Sequence, residues 1–113
     1  MSALNRVVLV GRAVRQPELR VTPSGVSVTT FTTAVDRQRK QEGGDNADFV
    51  DCVCFGKLAE IVSQYVEKGK LLAVEGRLES RKWEAKDGGK RVSWEVICDN
   101  VQFLSRGEGE RSD

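Results

Sequence analysis

An all-β domain carrying one helix is predicted by three observations in the 113-residue sequence. Apolar residues fall in short runs or alternate with period two, as strands do. The segments Thr22-Pro23-Ser24-Gly25 and Lys86-Asp87-Gly88-Gly89-Lys90 carry turn chemistry between those runs. Helical spacing occurs once, where Leu58, Ile61, Val62 and Tyr65 stand at i, i+3, i+4 and i+7.

Arg6 to Arg12 reads as the first strand, with Val7-Val8-Leu9-Val10 at the centre of a buried run. After the Pro23 turn, Val26 to Arg37 is a long second strand rich in Thr and Val. Its apolar parity changes between Val28 and Phe31, which predicts a bulge or bend. Arg37 to Asn46 is polar, contains glycine and is long enough for a mobile loop. Phe49 to Phe55 is the third strand. The helix follows, and Lys68-Gly69 is expected to supply a cation in its last turn and a left-handed stop. A fourth strand runs from Lys70 or Leu71 to about Trp83, and a fifth, after the Gly88-Gly89 hairpin, from Lys90 to about Leu104. With the helix between strands three and four, this is the order of a five-stranded OB-fold barrel, an architecture that binds oligonucleotides on its sheet face and long loops. Residues 1–105 are expected to form that domain, and residues 106–113 a short flexible tail.

Composition narrows the function. A chain with 39% hydrophobic and 31% charged residues is an ordinary soluble globular one, and its net charge of +1 makes any basic site a matter of local arrangement. Histidine is absent, which removes the commonest general base and the commonest zinc ligand. The three cysteines, with no secretory signal before them, fit a reduced cytoplasmic compartment. Cys52 and Cys54 share one strand face, but with Cys98 as the sole other thiol they read as small buried hydrophobes rather than a zinc site. No run is long and apolar enough to span a membrane, and no phosphate-cradling, nucleophile-elbow or metal-binding motif occurs, so neither a cofactor nor a metal is expected.

The aromatics carry the functional signal. Glu75, Arg77, Glu79, Arg81 and Trp83 share one parity, which places a tryptophan on a wet, charged face beside cations. Exposed aromatics flanked by Lys and Arg stack nucleobases and hold phosphates. In the third strand Asp51 marks the accessible face, so Phe49, Val53 and Phe55 belong to it, and Val50, Cys52 and Cys54 point inward. Phe49 and Phe55 are then either a stacking platform or surface covered by a loop or a neighbouring subunit. Trp94 shares parity with Val92, Val96 and Cys98 and reads as core. The cluster Arg37-Gln38-Arg39-Lys40 is a candidate phosphate clamp, although Glu42, Asp45 and Asp48 weaken its field.

Several motifs in register go further. Asn5-Arg6-Val7-Val8-Leu9-Val10-Gly11-Arg12, Gln16-Pro17-Glu18-Leu19-Arg20, Asp48-Phe49-Val50 and Phe55-Gly56-Lys57-Leu58-Ala59-Glu60 are followed by three more. These are Tyr65-Val66-Glu67-Lys68-Gly69, Val74-Glu75-Gly76-Arg77-Leu78 and Arg81-Lys82-Trp83. Over residues 4 to about 104 the chain closely resembles the bacterial single-stranded DNA-binding protein family. The resemblance implies a homotetramer of OB-folds wrapped by single-stranded DNA, which protects that DNA in replication, recombination and repair without catalysis and without sequence specificity. Its stacking aromatics map onto Phe49, Phe55 and Trp83, and its lysines onto Lys57, Lys68 and Lys82. The implied location is the cytoplasm, at the nucleoid. Two departures stand out. Where the family often has a tryptophan after strand two, this chain has Arg37-Gln38-Arg39-Lys40, an exchange of stacking for charge that should steepen the salt dependence of binding. The family's long tail with an acidic, apolar tip, which docks replication and repair enzymes, is not found after Glu108. Such partners are expected only if a tail is missing from this chain. The alternatives are a tailless paralogue used in DNA uptake and transformation, or a dimer like primosomal replication protein N.

Overall fold

In a computed structural model that describes residues 2–39, 42, 43 and 46–104, the chain forms six strands and one helix. In chain order these are β1 (Val7–Ala13), β2 (Glu18–Val21), β3 (Ser27–Asp36), β4 (Ala47–Phe55), α1 (Gly56–Tyr65), β5 (Leu71–Glu84) and β6 (Lys90–Phe103). Antiparallel pairing links β1 to β5, β5 to β6, β4 to β3 and β3 back to β1, and a parallel pairing of β4 with β6 completes the ring. This is the OB-fold, all-β with one helix between the third and fourth strands of the ring. The expected tail, 106–113, lies outside the described residues.

Inward-facing residues form the core: Cys52 and Cys54 from β4, Leu72 and Val74 from β5, Val96 and Cys98 from β6, and Phe31 from β3. The helix closes one end through Ala59 and Val62, both fully buried. Gly56 lets the chain pass from β4 straight into α1, because its φ of 66° lies in the left-handed region. The three cysteines are free and buried, as read from the sequence. Hydrogen bonding to Cys98, then burial, raises the Cys52 thiol far above its ordinary range. The bond with Cys52 holds Cys98 down, but bonding to Cys54 and burial together push it up to about 12. Enclosed in the core, the three thiols are packing groups.

Five readings of the sequence need correction. A sixth strand exists, since β2 pairs with β3 from Glu18↔Thr30 to Val21↔Ser27; all four of its residues are exposed, so it shows no burial alternation. The bulge expected between Val28 and Phe31 is absent, and the β3–β4 register runs unbroken from Val28↔Phe55 to Asp36↔Ala47. Parity misled there because Thr29 and Thr33, counted as polar, are fully buried. The Thr29 hydroxyl donates to the Ala59 carbonyl at 2.7 Å, and that of Thr33 lies 3.6 Å from Cys52 Sγ, so their polarity is satisfied inside. The irregularity lies instead between Glu75 and Gly76, where Glu75↔Asn100 is followed by Gly76↔Cys98. Third, α1 ends at Tyr65, where Val66 turns extended, with no basic residue in its last turn. Lys68 and Gly69 belong to the turn before β5, in which Gly69 donates to the Ala13 carbonyl at 2.8 Å. Fourth, β1 is buried on one face only: Val8 is 61% and Val10 52% exposed.

The fifth correction concerns Trp94, which is 57% exposed rather than core. Its parity was read correctly, because Gly76↔Cys98, Leu78↔Val96 and Ser80↔Trp94 lie on one face. The core ends at Val96, however, and past Glu79↔Glu95 the strands β5 and β6 continue as a two-stranded arm to Glu84↔Lys90, so that the inward face comes into the open at Leu78, Trp94 and Val92.

Candidate nucleic-acid interface

The outer face of the sheet can be laid out in rows from the register. Val28↔Phe55 forms one end, and Thr30↔Val53↔Ile97↔Arg77 comes next. Thr32↔Asp51↔Glu95↔Glu79 follows, and Arg81↔Ser93 and Trp83↔Arg91 lie further out on the arm. Phe49 stands two residues past Asp51 on the same face of β4. The three aromatics read as stacking groups therefore share one surface. Phe49 is 63%, Trp83 49% and Phe55 48% exposed, whereas Val53 between them is buried.

A groove of about 610 Å3 runs over this face. Phe55, Val53 and Ile97 form its floor, Arg81 lies toward the arm, and Arg15, Gln16 and Arg20 form the facing wall. Strand β2 builds that wall by pairing outside the ring, which lifts Glu18 and Arg20 beside the sheet. Charge in the groove is mixed. Arg15, Arg20 and Arg81 face Glu18, Asp51, Glu79 and Glu95, and Arg20 lies 3.6 Å from Glu18 and Arg81 3.6 Å from Glu95. Among the described residues no three acidic or thiol side chains are grouped to hold a metal ion.

The cations read from the sequence do not all gather here. Arg81 lines the groove. Lys57 is exposed in the first turn of α1, just past Phe55. Lys82 pairs with Val92, which puts it on the Trp94 face of the arm, opposite Trp83. Lys68 is exposed in the turn after α1, away from the sheet face. Arg39 is exposed beyond β3, whereas Arg37 is bound to Asp48 Oδ1 through Nε at 3.1 Å and Nη2 at 2.8 Å. Lys40 lies outside the described residues. Arg15, Arg20 and Arg91 were not singled out from the sequence. The signal for the first two was the Pro23 turn, since β-type residues on both sides of a tight turn imply a hairpin, and hence a strand at Glu18 to Val21.

Known proteins share this chain's pattern. The model of the single-strand binding protein family matches residues 4–104. The chain is similar to the single-stranded DNA-binding protein of Clostridium tetani, at 47% identity over 110 residues, covering 96% of this chain and 76% of that protein. It is similar to single-stranded DNA-binding protein 1 of Staphylococcus aureus, at 53% over 102 residues, 89% of this chain and 61% of that one. To the single-stranded DNA-binding protein of Thermotoga maritima it is 48% identical over 113 residues, 97% of this chain and 80% of that one.

Proposed function

The chain belongs to the single-strand binding protein family, and from that premise we propose that it binds single-stranded DNA on the outer sheet face. The observation that carries this reading is one face bearing Phe49, Phe55 and Trp83, all about half exposed or more, with Phe55 in a groove that Arg15, Arg20 and Arg81 also line. Bases stack on the rings, while the exposed Lys57 and Arg39 join the groove arginines in neutralising phosphate; Lys82 lies on the opposite face of the arm, Lys68 does not line the groove, Arg37 is held by Asp48, and Lys40 lies outside the described residues. The work is that of a binding protein rather than an enzyme, protecting single strands in replication, recombination and repair. The domain spans 1–105, and its place is the cytoplasm, at the nucleoid; no described helix is long and apolar enough to cross a membrane. The family match favours this over a dimer like primosomal replication protein N.

Stacking needs unpaired bases, so a single strand should bind far more tightly than a duplex of the same length and sequence. Titration of the tryptophan fluorescence with both checks it. Equal affinity for the two would refute the reading.

The self-association read from the sequence is a homotetramer, and two surfaces support it. Val7 to Val10 pair only with β5, so among the described residues the other edge of β1 is open from Val7 to Val10. An open edge with exposed Val8 and Val10 is a pairing template. A second apolar patch, Leu78, Val92 and Trp94, lies on the inward face of the arm. Sedimentation at micromolar concentration is expected to show a tetramer, and Val8→Glu with Val10→Glu a smaller species. A wild-type monomer would rule the tetramer out.

A further inference from the structure

The third row of the outer face is acidic. Asp51, Glu95 and Glu79 are consecutive cross-strand partners on β4, β6 and β5, between Phe55 on one side and Phe49 and Trp83 on the other. A strand reaching from one aromatic to the others must cross this row. The row does not serve the fold, since like charges directly opposed, as Glu79 and Glu95 are, weaken a sheet. Nor does it form a cation site, because among the described residues no three such side chains converge closely enough to hold a metal ion.

The carboxylates are nonetheless positioned. The Thr32 hydroxyl donates to Asp51 Oδ1 at 3.0 Å, and the Arg77 guanidinium binds Glu79 Oε2 at 2.8 Å. Glu95, with its side chain only 19% exposed, lies 3.6 Å from Arg81. The second oxygens, Asp51 Oδ2 and Glu79 Oε1, accept no hydrogen bond among the described residues. A held, outward-facing carboxylate repels phosphate. It accepts hydrogen bonds from an exocyclic amino group, as Asp and Glu do from cytosine N4. Thymine has no amino group, and its one ring N–H stands between two carbonyl oxygens that oppose a carboxylate.

We propose that Asp51 and Glu79 are specificity-determining residues of this groove. They favour amino-bearing bases over thymine at the positions between the aromatics, with the bases turned toward the sheet and the backbone toward Arg15 and Arg20. This rests on the single-strand reading above.

The test compares oligo(dC) and oligo(dT) of equal length on the wild type, Asp51→Ala/Glu79→Ala and Asp51→Asn/Glu79→Gln. Self-stacking of each free strand cancels when the dC-to-dT affinity ratio of a variant is divided by that of the wild type. In the alanine variant the ratio is expected to fall about tenfold, or about 1.4 kcal/mol, the scale of one base-edge contact. Binding of dT should hold or tighten. The amide variant keeps acceptor oxygens and should retain more of the ratio. Both side chains are exposed, so a matching melting curve confirms that the fold is intact. Equal strengthening of both homopolymers would overturn the proposal, as the carboxylates would then act only by repelling phosphate; so would an unmoved ratio. Failure of the wild type to bind either strand would instead defeat the single-strand reading itself.

Discussion

Trp83→Ala is expected to weaken single-strand binding by about 1–3 kcal/mol while leaving the melting temperature nearly unchanged. The indole is 49% exposed on the arm, beyond the last core residue, and its cross-strand partner is Arg91. Its removal opens no cavity. What is lost is a π-surface for a base, while Arg91 across the strand and Arg81 remain in place. Phe55→Ala should act in the same direction from the groove at the other end of the face. If the two sites are independent, the double variant loses roughly 2–6 kcal/mol, a weakening of at least about 30-fold. Paired titrations of the two single variants and the double check this.

The largest effect on stability is expected from Gly76→Ala. Gly76 sits at the register shift between β5 and β6, the two longest strands of the ring. A Cβ there would lie 2.1 Å from the Ile97 carbonyl oxygen, 2.8 Å from its carbon and 2.9 Å from Cys98 Cα. All three are backbone atoms, so no side-chain rotation relieves the contact and the strands themselves must part. The cost should be about 3 kcal/mol, the upper end for overpacking a core. Denaturant unfolding measures it, and a loss under about 1 kcal/mol would show that the bulge yields easily.

How far such features could be read without coordinates depended on what each residue faces. Parity located Phe49, Phe55 and Trp83 each on the wet face of its own strand because charged neighbours, Asp51 and the Arg77–Arg81 series, mark that side, and the register of β4, β6 and β5 then sets those faces on one surface. The same rule put Trp94 on the inward face, correctly, and then buried it, wrongly, because alternation gives the face and not where the core stops. Thr29 and Thr33 hid the regularity of β3, since a buried hydroxyl bonded to a helix carbonyl or a thiol looks polar in sequence. The edge strand β2, wet on both faces, shows no alternation and was betrayed only by the Pro23 turn, and with it Arg15 and Arg20 were missed as the groove's wall. The acidic row was beyond sequence reading altogether. Asp51, Glu79 and Glu95 are far apart along the chain, and only the register of β4, β5 and β6 sets them side by side.

The proposed site puts stacked bases on the Trp83 side of the arm and not on the Trp94 side. The chain has two tryptophans, so each can be made the sole reporter. In Trp94→Phe, where Trp83 alone emits, saturation with an unstructured single strand should quench most of the fluorescence. In Trp83→Phe, where Trp94 alone emits, the same strand should produce little change. Strong quenching of Trp94 with none of Trp83 would contradict the account and move the DNA to the opposite face of the arm.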